Sequence, residues 1–186
     1  MNLNYNEEQN MLREQIQKFC ESDYDFYKRE EIIKSKNDFD ENVWNLFAEQ
    51  GWLLMPFSEE SGGLGFGPIE LSILFEEFGK ALVIEPYLPT VVLSGLLLDK
   101  SSYLKKNDLI EKICSGQMHI SFAYAEAGKS YDYLSAETSL SSDNVLNGTK
   151  TLVLNGACSD KLLVTCSSND TLKIIILDST TQGVSI

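Results

Sequence analysis

The sequence predicts an α+β protein, in which an N-terminal all-α helical domain is followed by an antiparallel β-domain that is incomplete at its C-terminus. Three observations carry this reading. Apolar residues recur at helical spacing in successive capped segments as far as Gly116. From Gln117 onward the period becomes two, beginning with Met118-His119-Ile120-Ser121-Phe122-Ala123-Tyr124. Between the two patterns, Ser121 to Gly128 reads as a strand that leaves the helical body, carries alternate aromatics at Phe122 and Tyr124, and breaks at a glycine. Such a strand is placed to form a ledge at a domain boundary, where ligand pockets concentrate. The expected domains are therefore residues 1–116, helical, and 117–186, part of a β-domain.

Each element has a local reason. Asn6 followed by Gln9 forms a capping-box pattern, and Leu12, Ile16 and Phe19 continue it as a first helix. From Ser22 to Lys36, acidic and basic residues alternate around Tyr24, Phe26 and Tyr27, which suits either a continuation of that helix or a second one broken near Asp25. Asp40 caps a helix with a stripe of Val43, Trp44, Phe47 and Ala48, stopped by Gly51. The run Trp52-Leu53-Leu54-Met55 ends at Pro56 and reads as a buried extended segment.

The loop Ser58 to Gly67 contains four glycines, but no βαβ unit precedes it and no Gly-Lys-Ser/Thr occurs, so it reads as a structural turn rather than a phosphate cradle. Pro68 opens a helix with Leu71, Leu74, Phe75 and Phe78 on one side as far as Gly79, and with Glu76 and Glu77 on the wet side. Adjacent helical carboxylates point about 100° apart and cannot act on one bond together. After Pro86 and Pro89, Val91 to Leu98 is apolar nearly all round, as in a helix buried within a bundle. Ser102 to Cys114 reads as the last helix, stopped by Gly116. The β-half follows as a meander of about five antiparallel strands, with Asn147-Gly148 as a hairpin signal and with apolar strands at Leu162 to Cys166 and Leu172 to Leu177.

Composition excludes several functions. The 186 residues are 43% hydrophobic with a formal charge of −13 and a pI near 4.4, which argues against nucleic acid and anionic membrane as partners. No segment approaches a membrane span, and Met1 to Glu8 has neither the basic start nor the apolar core of a signal peptide, so the expected compartment is the cytoplasm. Four widely spaced cysteines and one histidine, His119, make no metal-site or thiol-redox pattern, and no G-x-S-x-G elbow is present for a hydrolase. No metal ligand is expected.

Several stretches taken together resemble the acyl-CoA dehydrogenase family. They are Phe47-Ala48-Glu49-Gln50-Gly51-Trp52, the loop Pro56 to Gly65, Phe75-Glu76-Glu77-Phe78-Gly79-Lys80-Ala81, Ser115-Gly116-Gln117, Phe122 to Glu126, and Leu146-Asn147-Gly148-Thr149-Lys150 with Asn155-Gly156. Each is weak alone, and their order is specific. Tyr24-Asp25-Phe26 and Glu85 to Leu93 further resemble the small-subunit branch named for pimeloyl-CoA dehydrogenase, in which two different chains form the oligomer.

The resemblance implies a helical domain, a central β-domain and a C-terminal helical domain enclosing FAD, with α,β-dehydrogenation of an acyl-CoA thioester. It implies an electron-transfer acceptor protein, and a homo- or hetero-oligomer with another acyl-CoA dehydrogenase chain. The proton-abstracting carboxylate belongs to the C-terminal domain, so no catalytic residue is expected here, and activity of this chain alone is not expected. The implied cofactor positions are Phe122, Tyr124, Ala125, Tyr131, Leu152 and Leu154. Here the chain departs from the family. Ala125-Glu126-Ala127 replaces Thr-Glu-Pro, Ser130-Tyr131-Asp132 replaces Gly-Ser-Asp, and Leu152 and Leu154 replace a flavin-flanking Trp and Thr. Either independent FAD binding is lost, or Leu152 and Leu154 are core strand residues and the flavin uses backbone amides.

Overall fold

A computed structural model of the chain describes residues 4–35, 39–129 and 135–186. The chain clusters into two compact units, Met1–Glu85 and Pro86–Ile186.

The first unit is helical. Helix α1 (Glu7–Ser22) begins with the capping box, in which Gln9 N donates to Asn6 Oδ1 at 2.8 Å and Asn6 N donates to Gln9 Oε1 at 3.0 Å. The chain does break after it. Asp25 caps α2 (Phe26–Lys34) by accepting from Lys28 N, which starts a second helix instead of extending the first. Asp40 likewise caps α3 (Glu41–Glu49) through Asn42 N. Gly51, at φ +76°, then ends it with the left-handed turn that glycine adopts without a Cβ clash.

The following apolar run is buried, but it is a short 3₁₀ turn at Trp52–Leu54 and not extended. Met55 N and Phe57 N return to the carbonyls of Trp52 and Leu54, and this satisfies backbone groups that an isolated buried strand would leave unpaired. Helix α4 (Pro68–Ala81) runs past Gly79 and ends at Leu82, which takes the left-handed conformation itself. Phe19, Phe47, Trp52 and Phe78 pack as one aromatic cluster, with Phe47 stacked on Phe78 at 4.9 Å and Phe19 edge-on to Trp52 at 5.2 Å.

Helix α4 also corrects one expectation. Glu77 is buried, not on the wet side. Arg13 of α1 reaches it at 2.9 Å and Lys80 at 2.9 Å, while the exposed Glu76 takes the other end of the Arg13 guanidinium. Burial opposes the charge on Glu77, but hydrogen bonds from Lys80 and Arg13 outweigh it and hold the carboxyl below its ordinary range.

The second unit starts with a π-helical segment, Leu88–Gly95, that runs into α5 (Leu96–Asp99). The all-round apolar pattern here is misleading. Thr90, Val91, Ser94, Gly95, Leu98 and Asp99 are buried, whereas Val92, Leu93, Leu96 and Leu97 are only partly so. The last helix, α6 (Lys106–Cys114), begins later than its apolar pattern suggests, and Leu104 lies in the preceding loop, exposed.

Five strands follow, namely β1 (Ile120–Ala123), β2 (Ser139–Leu140), β3 (Leu146–Asn147), β4 (Lys161–Ser168) and β5 (Thr171–Asp178). The sheet is mixed rather than antiparallel. β5 pairs antiparallel with β4 along its whole length, whereas β1 pairs parallel with the first half of β4 and β2 meets it in parallel at Ser139–Ser167. Parallel pairing needs a long return connection, and the stretch between β1 and β4 supplies one. Asn147-Gly148 is not the hairpin turn. The β2–β3 turn lies upstream, at 141–145, where Ser141 N donates to Val145 O and Asn144 takes φ +58°. Asn169-Asp170, with φ +50° and +58°, makes the tight β4–β5 turn. Ala123, Leu162 and Val164 form the buried face of the sheet, with Leu146, Val153, Ile175 and Leu177 packed against it.

Candidate functional site

The candidate site lies at the end of β1, within the second unit. Along the strand Ser121 and Ala123 are buried, while Phe122 is half-buried and Tyr124 is 47% exposed, so the two aromatics share the outer side. Their rings stack at 5.2 Å with 29° between planes. The segment from Lys150 to Asn155 runs back alongside. Thr151 N donates to Ala125 O at 2.9 Å, and the Ser121 hydroxyl donates to Leu154 O at 2.6 Å.

This pairing brings the implied positions Phe122, Tyr124, Ala125, Leu152 and Leu154 onto two adjacent segments. Tyr131 lies outside the described residues. Leu152 and Leu154 are not core residues, being 88% and 50% exposed. Leu152 sits at φ +53°, a conformation that costs a branched residue about 1–2 kcal/mol, next to Thr151, whose amide is bonded to Ala125 O.

Beside this segment a further set of hydrogen bonds centres on Glu126, which the sequence pattern did not single out. The buried carboxylate accepts from Lys150 Nζ at 2.7 Å, Thr138 Oγ1 at 2.6 Å, Glu137 N at 2.7 Å and Thr138 N at 2.9 Å. Lys150, buried as well, also donates to Thr165 Oγ1 at 2.8 Å and reaches Tyr124 O at 3.4 Å. Burial works against the charge on Glu126, but Lys150, Thr138 and the two backbone amides overcome it and hold the pKa down at about 2. Glycine at 148 is required by this arrangement, since a Cβ there would lie 2.4 Å from Thr138 Oγ1 and 2.6 Å from Thr138 Cα. A carboxylate two residues past the alternating run that ends at Tyr124, with a lysine after Asn-Gly-Thr, was the available signal.

The arrangement offers shape and little chemistry. Tyr124, Leu152 and Leu154 present an apolar and aromatic surface suited to the face of a planar ring. Glu126 is locked in its ion pair and cannot serve as a base. Ala125 and Leu154 supply no hydroxyl, and the carbonyls of Tyr124 and Ala125 already accept hydrogen bonds. Among the described residues, the side chains of Ala125, Leu152 and Leu154 therefore do not fit the polar edge of a flavin, since none of the three can hydrogen-bond to it. The glycine-rich loop offers no phosphate cradle either. The amides of Gly62, Gly63, Leu64, Gly65 and Phe66 donate to the carbonyls of Glu59, Ser58, Leu54, Phe57 and Met55, and Gly67 N donates to Glu70. Among the described residues no cluster of His, Cys, Asp and Glu is arranged to hold a metal, and no helix is long and apolar enough to cross a membrane.

Comparisons with known proteins agree with the order of these elements. The model of the family described as acyl-CoA dehydrogenase, N-terminal domain, matches residues 6–117. The acyl-CoA dehydrogenase FadE29 of Mycobacterium tuberculosis is 27% identical over 147 residues, covering 74% of this chain and 38% of that protein. A variant of the Tcur3481–Tcur3483 steroid acyl-CoA dehydrogenase superposes with a TM-score of 0.86 at 25% identity, over 96% of this chain and 50% of the other. The ChsE4–ChsE5 complex of Mycobacterium tuberculosis has the same fold, with a TM-score of 0.87 at 22% identity over the whole of this chain and 50% of the other. The chain thus spans half or less of the length of these relatives.

Proposed function

The chain belongs to the acyl-CoA dehydrogenase family, and from that premise we propose that it is one chain of a heteromeric, FAD-dependent enzyme that introduces an α,β double bond into an acyl-CoA thioester. Within that assembly it serves as scaffold and enclosure, and a second acyl-CoA dehydrogenase chain provides the groups that hold FAD. The electrons leave to an acceptor protein. The observation that carries this reading is the platform of Tyr124, Leu152 and Leu154, beside which the Ser121, Glu126, Lys150 and Thr165 side chains are each taken up by partners within the fold. A likeness to structures of the ChsE4–ChsE5 kind supports the two-chain form. The free thiols of Cys20, Cys114 and Cys166 suit a reducing cytoplasm.

The test is purification of this chain alone and together with candidate partner chains, followed by flavin absorbance and dye reduction with short, medium and dicarboxylic acyl-CoAs. The chain alone should carry no flavin and show no turnover, and both should appear with the partner. FAD-dependent turnover by this chain alone would overturn the proposal. In the assembly, Ala125→Thr with Leu152→Trp and Leu154→Thr should raise FAD affinity, since each restored hydrogen bond contributes about 1 kcal/mol. Unchanged or weaker binding in a fluorescence titration would mean that these positions do not face the ring.

A further inference from the structure

The π-helical segment Leu88–Gly95 contains two buried hydroxyls that the proposed function does not use. Thr90 and Ser94 are both 0% exposed, and neither Oγ1 of Thr90 nor Oγ of Ser94 has a hydrogen-bond partner among the described residues. A helical Ser or Thr ordinarily returns its hydroxyl to the carbonyl four residues back. Here neither hydroxyl makes that bond, and the wide turn passes the Leu96 amide back to Val91 O instead of Val92 O. The buried apolar residues of the segment and of the elements packed on it include Val91, Leu98, Ile110, Ile113 and Ile120, none of which can accept or donate, and the buried Ser121 of β1 is already bonded to Leu154 O and Ser159 Oγ.

Two such groups left bare would each lower the folding equilibrium by a factor of about 5 to 150. Native interiors avoid this by taking up an ordered water where polar groups converge. The geometry points to one: we propose that Thr90 and Ser94 jointly hold a buried water molecule, which completes the widened turn. Thr90 and Ser94 are four apart, slightly less than one turn of this widened segment, so they lie near one side, at a spacing close to the about 5–6 Å between Cβ atoms of an α-helical pair. One water at about 2.8 Å from each oxygen spans that gap. Either hydroxyl can donate while the other accepts, so the water is left with bonding capacity for a backbone carbonyl freed by the wide turn. The segment packs on β1, the strand that carries Phe122 and leads into Tyr124, so this water belongs to the support of the platform.

The experiment combines a high-resolution crystal structure of the chain, alone or in its assembly, with amide exchange along Val91–Leu98 and β1. Density for one water within hydrogen-bond distance of both oxygens is expected. Thr90→Val and Ser94→Ala should each lower protection about 5- to 10-fold, and the double variant should lower it no further than either single change, because the second hydroxyl has nothing left to hold. Thr90→Ser keeps the hydroxyl and should remain within about twofold of the parent, which separates loss of the water from a failure to pack. The proposal is overturned if the site is dry, if Thr90→Val raises protection, or if the two losses simply multiply.

Discussion

Replacing Glu126 by glutamine should both weaken the second unit and remove a defined part of its acid sensitivity. The carboxylate accepts four hydrogen bonds, one of them from the buried Lys150 ammonium, and its pKa is held at about 2 against an ordinary value of 4.5. The difference corresponds to about 3 kcal/mol, at about 1.4 kcal/mol per pH unit. For a depressed carboxyl, this stability is fully present above the unfolded value and is lost as pH falls through the folded one. The window therefore runs from about pH 4.5 down to about pH 2. In Glu126→Gln the amide offers one acceptor where two are needed, and it leaves Lys150 buried without its counter-charge, which costs about 3–5 kcal/mol at neutral pH. Urea unfolding, followed through the amides of Thr138 and Thr165, isolates this unit from Glu77 and Asp40 of the first, whose carboxyls are also held low. The variant should start lower at pH 7 and lose less on going to pH 3. If parent and variant ran parallel across that range, Glu126 would not be the group that ties these segments together.

Other changes test separate features. Gly79 lies exposed within α4 with nothing near a Cβ, so Gly79→Ala should stabilise the first unit by about 0.5–1 kcal/mol, read as a higher urea midpoint by tryptophan fluorescence. Gly148→Ala should cost about 1–3 kcal/mol, because its Cβ meets the backbone of Thr138 and not only a movable side chain, and the loss should appear in the same amides that report on Glu126. The outer edge of β5 pairs with no strand among the described residues, and it exposes Leu172 and Ile174. The isolated chain should self-associate through it, and Ile174→Lys should reduce the mass seen by light scattering. A parent that stays monomeric at high concentration would refute this.

How far the sequence could be read depended on how local each cause was. The capping box at Asn6 and Gln9, the Asp40 cap and the Gly51 stop all involve neighbours within four residues, and each was visible in the chain. Glu77 was not, because its burial is decided by Arg13 arriving from α1, 64 residues away. The same holds for Gly148. Asn-Gly is a strong turn signal on local grounds, but here the glycine is required by the close approach of Thr138, and the true tight turn is made by Asn169-Asp170 without any glycine. The antiparallel expectation failed for a related reason, since alternation marks strands and does not say which strand lies beside which. At the candidate site, the residue types at 122, 124, 125, 152 and 154 were legible, whereas the exposure of Leu152 goes with a left-handed backbone conformation that no apolar pattern encodes.

The loop from Ser58 to Gly67 has a consequence for handling the protein. A protease must draw several residues into an extended form across its cleft, and a stretch with four glycines would ordinarily be an easy target. Here six consecutive amides, from Gly62 to Gly67, already have protein acceptors, and Gly63 lies so close to Phe57 that a Cβ would fall 2.2 Å from its carbonyl oxygen. Opening the loop for cleavage would break most of these bonds together. Subtilisin should therefore spare it and cut first elsewhere, for example near the exposed Leu104, where the chain is bound less closely to itself.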